Sequence, residues 1–203
     1  MNVLFVITEH SSFLDPPAVD RYEDAARRLE DAAGTAVESV HYEEARDLGG
    51  AGAVILSGSS APWAAHDRRA LERLGEVARA YDGPVLGICA GMQLQAVFAG
   101  GSIRHAVTPP ETGYAAIDVL DDADLLRGLP SHARVYQRHT DEIDELPDEF
   151  RVLARSEACP VEAIASPARR WWGTQFHPEL TSPEHPDGAR VLRNFFELAG
   201  LRS

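Results

Sequence analysis

The chain contains no lysine; all 19 of its non-histidine basic residues are arginine. Against 32 Asp and Glu residues this leaves a formal net charge of -13. A surface so acidic repels phosphate backbones and anionic lipids, so neither a nucleic acid nor a membrane is expected as partner. Cysteine is scarce as well: only Cys89 and Cys159 occur. One pair supplies neither a disulfide framework nor a metal-ligand cluster at ligand spacing, so no metal and no cofactor is expected. An available thiol suits a reducing compartment, which sets the expectation of a cytoplasmic protein. Long apolar runs are missing too. The N-terminal Val3-Leu4-Phe5-Val6-Ile7 follows no basic segment and is too short for a signal peptide or a membrane span. A chain of 203 residues fills one α/β domain and is cramped for two, so residues 1–203 are expected to form a single domain.

What is present alternates between strand-like and helix-like segments. Val3 to Ile7 reads as a buried strand, and Thr8 to Pro17 as a loop. Ala18 to Ala33 follows with helical periodicity and Gly34 as its cap. Short strands are expected at Ala36 to Val40 and Val54 to Leu56, then a helix from Asp67 to Tyr81 and a strand ending at Ile88. That order predicts a parallel sheet covered by helices on both faces. Beyond Gly101 the character changes. Ala115 to Leu120, Ala133 to Tyr136, Arg151 to Ala154, Val161 to Ala165 and Arg170 to Gln175 read as antiparallel strands, and Pro186 to Leu198 as a final helix. The fold class is therefore α/β, mostly parallel with added antiparallel strands.

The organising stretch is Gly87-Ile88-Cys89-Ala90-Gly91-Met92-Gln93. A glycine two residues to either side of Cys89, between a strand and a helix, is the nucleophile-elbow pattern with Cys in place of Ser. A side chain at either glycine would crowd the turn, and the helix N-terminus favours a thiolate. A small buried thiol at a strand end fits this heptad equally well. Near the C-terminus, Gln175-Phe176-His177-Pro178-Glu179 offers a base, His177, and a carboxylate to orient it, Glu179. Taken alone, His177 is one of eight histidines with an acidic neighbour, and Gln93 reads as a solvated helix position.

Together these stretches resemble the class I, triad-type glutamine amidotransferases. Three further segments match in order: Leu56-Ser57-Gly58, Arg138-His139-Thr140-Asp141-Glu142-Ile143 and Cys159-Pro160-Val161-Glu162-Ala163-Ile164. The resemblance, from about Leu56 to Phe196, implies a flavodoxin-like amidotransferase fold and hydrolysis of L-glutamine. It implies Cys89 as nucleophile, His177 as acid and base, and Glu179 as its orienting partner. It further implies an oxyanion hole at Gly58, Ser59 and Ala90, and glutamine contacts from Gln93, Arg138, His139, Thr140 and Asp141. Cys159 matches a strand residue that packs. The implied partner is a separate synthase subunit that uses the ammonia. Glu111-Thr112-Gly113-Tyr114 and His139-Thr140-Asp141 look most like the GMP synthase branch. The alternatives are a specialised biosynthetic acceptor, a stand-alone γ-glutamyl amide hydrolase and a non-catalytic regulatory subunit; retention of all three triad residues opposes the last. Two departures stand out. Ser59 replaces the usual second glycine of the oxyanion loop, so that loop is either preset or set by a partner. Thr8-Glu9-His10-Ser11-Ser12-Phe13 also differs from the family's usual segment after the first strand.

Overall fold

A computed structural model describes residues 2–202. In chain order its strands are β1 Val3–Ile7, β2 Val37–His41, β3 Ala53–Leu56, β4 Val85–Ile88, β5 Ser102–His105, β6 Gly113–Val119, β7 His132–Gln137, β8 Asp141–Glu145, β9 Arg151–Arg155, β10 Ala163–Ser166 and β11 Trp171–Thr174. The α-helices are α1 Pro16–Ala33, α2 Arg68–Ala80, α3 Ala90–Phe98 and α4 Asp187–Leu198. Nine strands make one sheet in the order β2-β1-β3-β4-β11-β10-β9-β6-β7. From β2 to β11 neighbours run parallel; from β11 outward they run antiparallel. The parallel half and the antiparallel extension are both as the sequence predicts.

The central strands β3, β4 and β11 are buried along their whole length, which is why their sequences are continuously apolar or small. Alternate residues feed two cores. On one face Val3, Phe5, Ile55, Leu86 and Ile88 pack with Leu29 of α1 and Phe195 and Phe196 of α4. On the other, Val6, Val54, Leu56 and Val85 pack with Leu74 of α2 and Met92 of α3.

Two details depart from the sequence reading. Helix α1 begins at Pro16, inside the expected loop. Asp15 accepts the Ala18 N–H at 2.9 Å, and the two prolines occupy first-turn positions that need no N–H partner. Strands β5 and β8, unforeseen, pair as a separate two-stranded ribbon. Their residues are too polar to read as strands. Arg104 binds Glu142 at 2.8 Å and Asp144 at 3.0 Å across the ribbon, while Ile143, opposite Ile103, packs into the core beside α3. The ribbon carries Asp141 to the edge of the cavity described next.

Candidate active site

Strand β4 ends at Ile88, and α3 begins at Ala90. Cys89 between them adopts φ 52° and ψ -109°. A positive φ on a non-glycine residue is strained, by about 1–3 kcal/mol, and persists only where neighbours dictate it. Here they do: Cys89 N–H donates to Thr174 O of β11 at 2.7 Å, and Cys89 O accepts from Gln93 N at 3.1 Å. A Cβ on Gly87 would lie 2.5 Å from Met92 N, and one on Gly91 would lie 2.2 Å from Leu56 O. Both flanking glycines are thus required by close backbone approach, the reason the sequence pattern suggested.

Strand β11 runs beside β4 with Thr174 opposite Ile88, so the residues following the two strands meet. His177 arrives this way, its N–H held by Tyr136 O at 2.9 Å. Its ring Nδ1 bonds Glu179 Oε1 at 2.7 Å, which leaves Nε2 on the far side of the ring. Burial opposes a charge on His177. The Glu179 carboxylate and the adjoining Cys89 outweigh it, and the imidazole pKa is raised well above its ordinary value. Gly58 completes the contact: a Cβ there would lie 2.9 Å from His177 Cε1 and 3.4 Å from Cys89 Cβ.

Cys89 is 5% exposed, at the floor of a cavity of about 750 Å³. The cavity is also lined by every other residue assigned from the resemblance: His177 and Glu179, Gly58, Ser59 and Ala90, then Gln93, Arg138, His139, Thr140 and Asp141. Gln93 is 2% exposed, so the solvated reading of that helix position does not hold. Its amide donates to Asp141 O at 2.7 Å and to Gln175 Oε1 at 3.1 Å. The backbone of the Arg138 segment reaches the thiol too, with Arg138 O 3.7 Å from Cys89 Sγ. Gln175 joins the site without having been expected there: its Nε2 lies 3.5 Å from Cys89 Sγ. It stands two residues before His177, just past β11, and is held beside the thiol by its bond from Gln93.

Behind this wall lies a second polar group. Potential ligand atoms of His139, Cys159 and Glu162 lie within 4.8 Å of one another, a proximity that linear spacing did not reveal. Cys159 donates to Val161 O at 3.3 Å, and burial pushes its thiol far up, so it packs and does not react. His139 is held neutral by burial, which outweighs the Asp141 backbone and the neighbouring carboxylates. Burial also pushes Glu162 up to about 6; the Glu142 charge adds to this, while Gln137 and Ser156 oppose it. Between its unfolded pKa and that value, folded Glu162 holds a proton that the unfolded chain lacks. Its contribution to stability therefore falls as pH rises from about 4.5 and levels off above 6. Glu162→Gln is expected to gain about 2 kcal/mol relative to the parent protein between pH 4 and pH 8. Paired unfolding curves at the two pH values measure this; a constant difference refutes it.

A profile of the class-I glutamine amidotransferase domain matches residues 21–199. The glutamine-hydrolyzing GMP synthase subunit of Pyrococcus abyssi is 37% identical over 158 residues, covering 78% of this chain and 80% of that protein. The corresponding subunit of Thermococcus kodakarensis is 47% identical over a shorter stretch, 58% of this chain and 61% of the relative, which is less than two thirds of its length. A solved structure from Thermoplasma acidophilum, assigned to the same GMP synthase subunit, superposes with a TM-score of 0.82 at 30% identity, covering 98% of this chain and 94% of that one. The chain belongs to the class-I glutamine amidotransferases, a family of glutamine-hydrolysing enzymes.

Proposed function

We propose that this chain, as one glutaminase domain, hydrolyses L-glutamine to glutamate and ammonia through a thioester on Cys89. The observation that carries the proposal is His177, bonded to Glu179 on one side and abutting Cys89 on the other at a strained elbow. A His177 that keeps its proton is a partner for a thiolate. Cys89 Sγ attacks the side-chain amide carbon. The negative charge that develops on the amide oxygen is met by the N–H groups of Ala90 and Ser59, while Gly58, lacking a side chain, leaves room for the His177 ring beside Cys89. His177 gives its proton to the departing ammonia, then takes one from the water that cleaves the thioester. Glu179 keeps the ring in the tautomer with Nδ1 protonated and stabilises the imidazolium. Gln93, Arg138, His139, Thr140 and Asp141 line the cavity where the substrate's α-amino and α-carboxylate groups would sit.

The ammonia goes to a separate synthase subunit. Relatives named as glutamine-hydrolyzing subunits of GMP synthase make a GMP-forming partner the first choice, working in the cytoplasm. Among the described residues no helix is long and apolar enough to cross a membrane. The test mixes the purified chain with the complementary subunit of a two-subunit GMP synthase. Glutamine-dependent GMP formation well above either component alone is expected. Glutamine hydrolysis with no GMP formed would point to the stand-alone γ-glutamyl amide hydrolase. No hydrolysis alone or with that subunit would overturn the reading.

A further inference from the structure

Glu9 lies at the end of β1, in the segment that departs from the family's usual one, and it is 0% exposed. A buried carboxylate needs donors, and this one is surrounded by them. Oε1 accepts from Ser59 Oγ at 2.7 Å, Ala61 N at 2.9 Å and His10 N at 3.3 Å. Oε2 accepts from Ser60 Oγ at 2.6 Å, Ser60 N at 2.9 Å and Tyr22 Oη at 3.2 Å. Burial alone would raise its pKa; the Ser60 and Ser59 hydroxyls with the Ser60 and Ala61 N–H groups more than offset this, and the net direction is down. An ionised group at the end of β1 thus gathers the loop that follows β3.

That loop contains the Gly58–Ser59 peptide. Its carbonyl, Gly58 O, accepts from Tyr22 Oη at 2.9 Å and Ser57 Oγ at 2.8 Å; Thr8 Oγ1, which donates to Ser57 O at 2.8 Å, lies 3.4 Å away. Tyr22 Oη therefore touches both the Glu9 carboxylate and the peptide. No cis peptide occurs among the described residues. In a trans unit the N–H points opposite to the carbonyl, so pinning Gly58 O fixes the direction of the Ser59 N–H. Turning the peptide over would break the Tyr22 and Ser57 bonds to Gly58 O, and the Ser59 side chain is tied to Glu9 as well.

We infer that Glu9 is a positioning residue that, through Ser59, Ser60 and Tyr22, presets the oxyanion loop so that glutamine hydrolysis needs no partner to assemble the hole. The inference rests on the proposed glutamine chemistry. It also explains Ser59: where the loop is not required to flip, a second glycine is not needed, and a serine adds a bond to the clamp.

The experiment compares the full chain with its Glu9→Gln and Tyr22→Phe variants, assayed alone. Glu9→Gln replaces an acceptor with an amide that opposes the loop's donors. Its kcat for glutamine is expected to fall about 100-fold, the effect of one lost oxyanion donor, with KM changed less than about threefold. Alkylation of Cys89 by iodoacetamide, which passes through no oxyanion, is expected to stay within about twofold. Tyr22→Phe keeps five of the six donors to Glu9 and removes one bond to Gly58 O, and a loss of about tenfold is expected. Hydrogen exchange of residues 57–61, independent of activity, is expected to quicken in both variants. Unchanged kcat and exchange in Glu9→Gln would overturn the inference. So would equal losses of alkylation and turnover, which mark a merely structural role. A parent protein inactive alone and switched on by the synthase subunit would overturn the presetting while leaving the proposed function standing. If Glu9→Gln does not fold, Tyr22→Phe decides by the same readouts.

Discussion

Cys89→Ala is expected to abolish glutamine hydrolysis, with kcat down about 10⁴-fold or more, while thermal stability changes by only a few degrees. The first half follows from the chemistry. No other thiol faces the cavity, and Cys159 sits behind its wall with its proton firmly held. His177 could activate a water, but no covalent acyl acceptor would remain. The second half follows from the backbone. Alanine at this position keeps the positive φ and both hydrogen bonds that impose it, and loses one sulfur atom at the cavity floor. The strain is neither relieved nor increased. Release of glutamate at the parental rate by Cys89→Ala would exclude the thioester route. A wholesale loss of folded protein would instead show that the thiol holds the turn together.

Gly91→Ala is expected to do the opposite and fail by stability. The added Cβ would lie 2.2 Å from Leu56 O and 2.8 Å from Leu56 C, both backbone atoms of the fully buried β3. A flexible side chain could swing away; a central strand between β1 and β4 cannot. To make room, α3 would have to lift from the sheet and carry the elbow with it. Overpacking of well-filled cores costs about 1–3 kcal/mol, and a backbone collision belongs at the upper end or beyond. For a chain of this size that is a fall in Tm of about 6–12 °C. Calorimetry of the variant against the parent protein measures it, and a change of less than about 2 °C would contradict the packing described at the elbow.

The elbow was legible in the sequence because its constraints are local. Gly87, Cys89 and Gly91 are close neighbours along the chain, and each carries its reason in its own backbone. The pairing of Cys89 with His177 was legible only through the resemblance, since 88 positions separate the two and no periodicity links them. The parallel half could be read because β3 and β4 are buried on both faces and hence continuously apolar. The β5–β8 ribbon could not, because its strands are short and mostly polar, with Ile143 the one residue of β8 that enters the apolar core. Glu9 and Gln175 were illegible for another reason. Each looks like an ordinary polar residue until the chain folds over it, and only three-dimensional proximity gives Glu9 its six donors. Gln93 shows the same limit from the other side: a polar residue on a helix reads as solvated unless the helix is buried all round, as α3 nearly is.

The meeting of β4 with β11 has a consequence for how the protein is made. Strand β4 is synthesised about 86 residues before β11, and the two are direct neighbours in the sheet. Contacts so distant along the chain close late in folding, after their loop entropy has been overcome. A chain emerging from the ribosome with β4 complete therefore carries Cys89 without its His177 partner. The last parallel strand, docking between β4 and β10, supplies His177 and the Thr174 carbonyl that fixes the Cys89 turn together. The meeting of Cys89 with His177 is thus acquired in one late step, and recovery of glutamine hydrolysis during refolding is expected to lag behind recovery of helical structure.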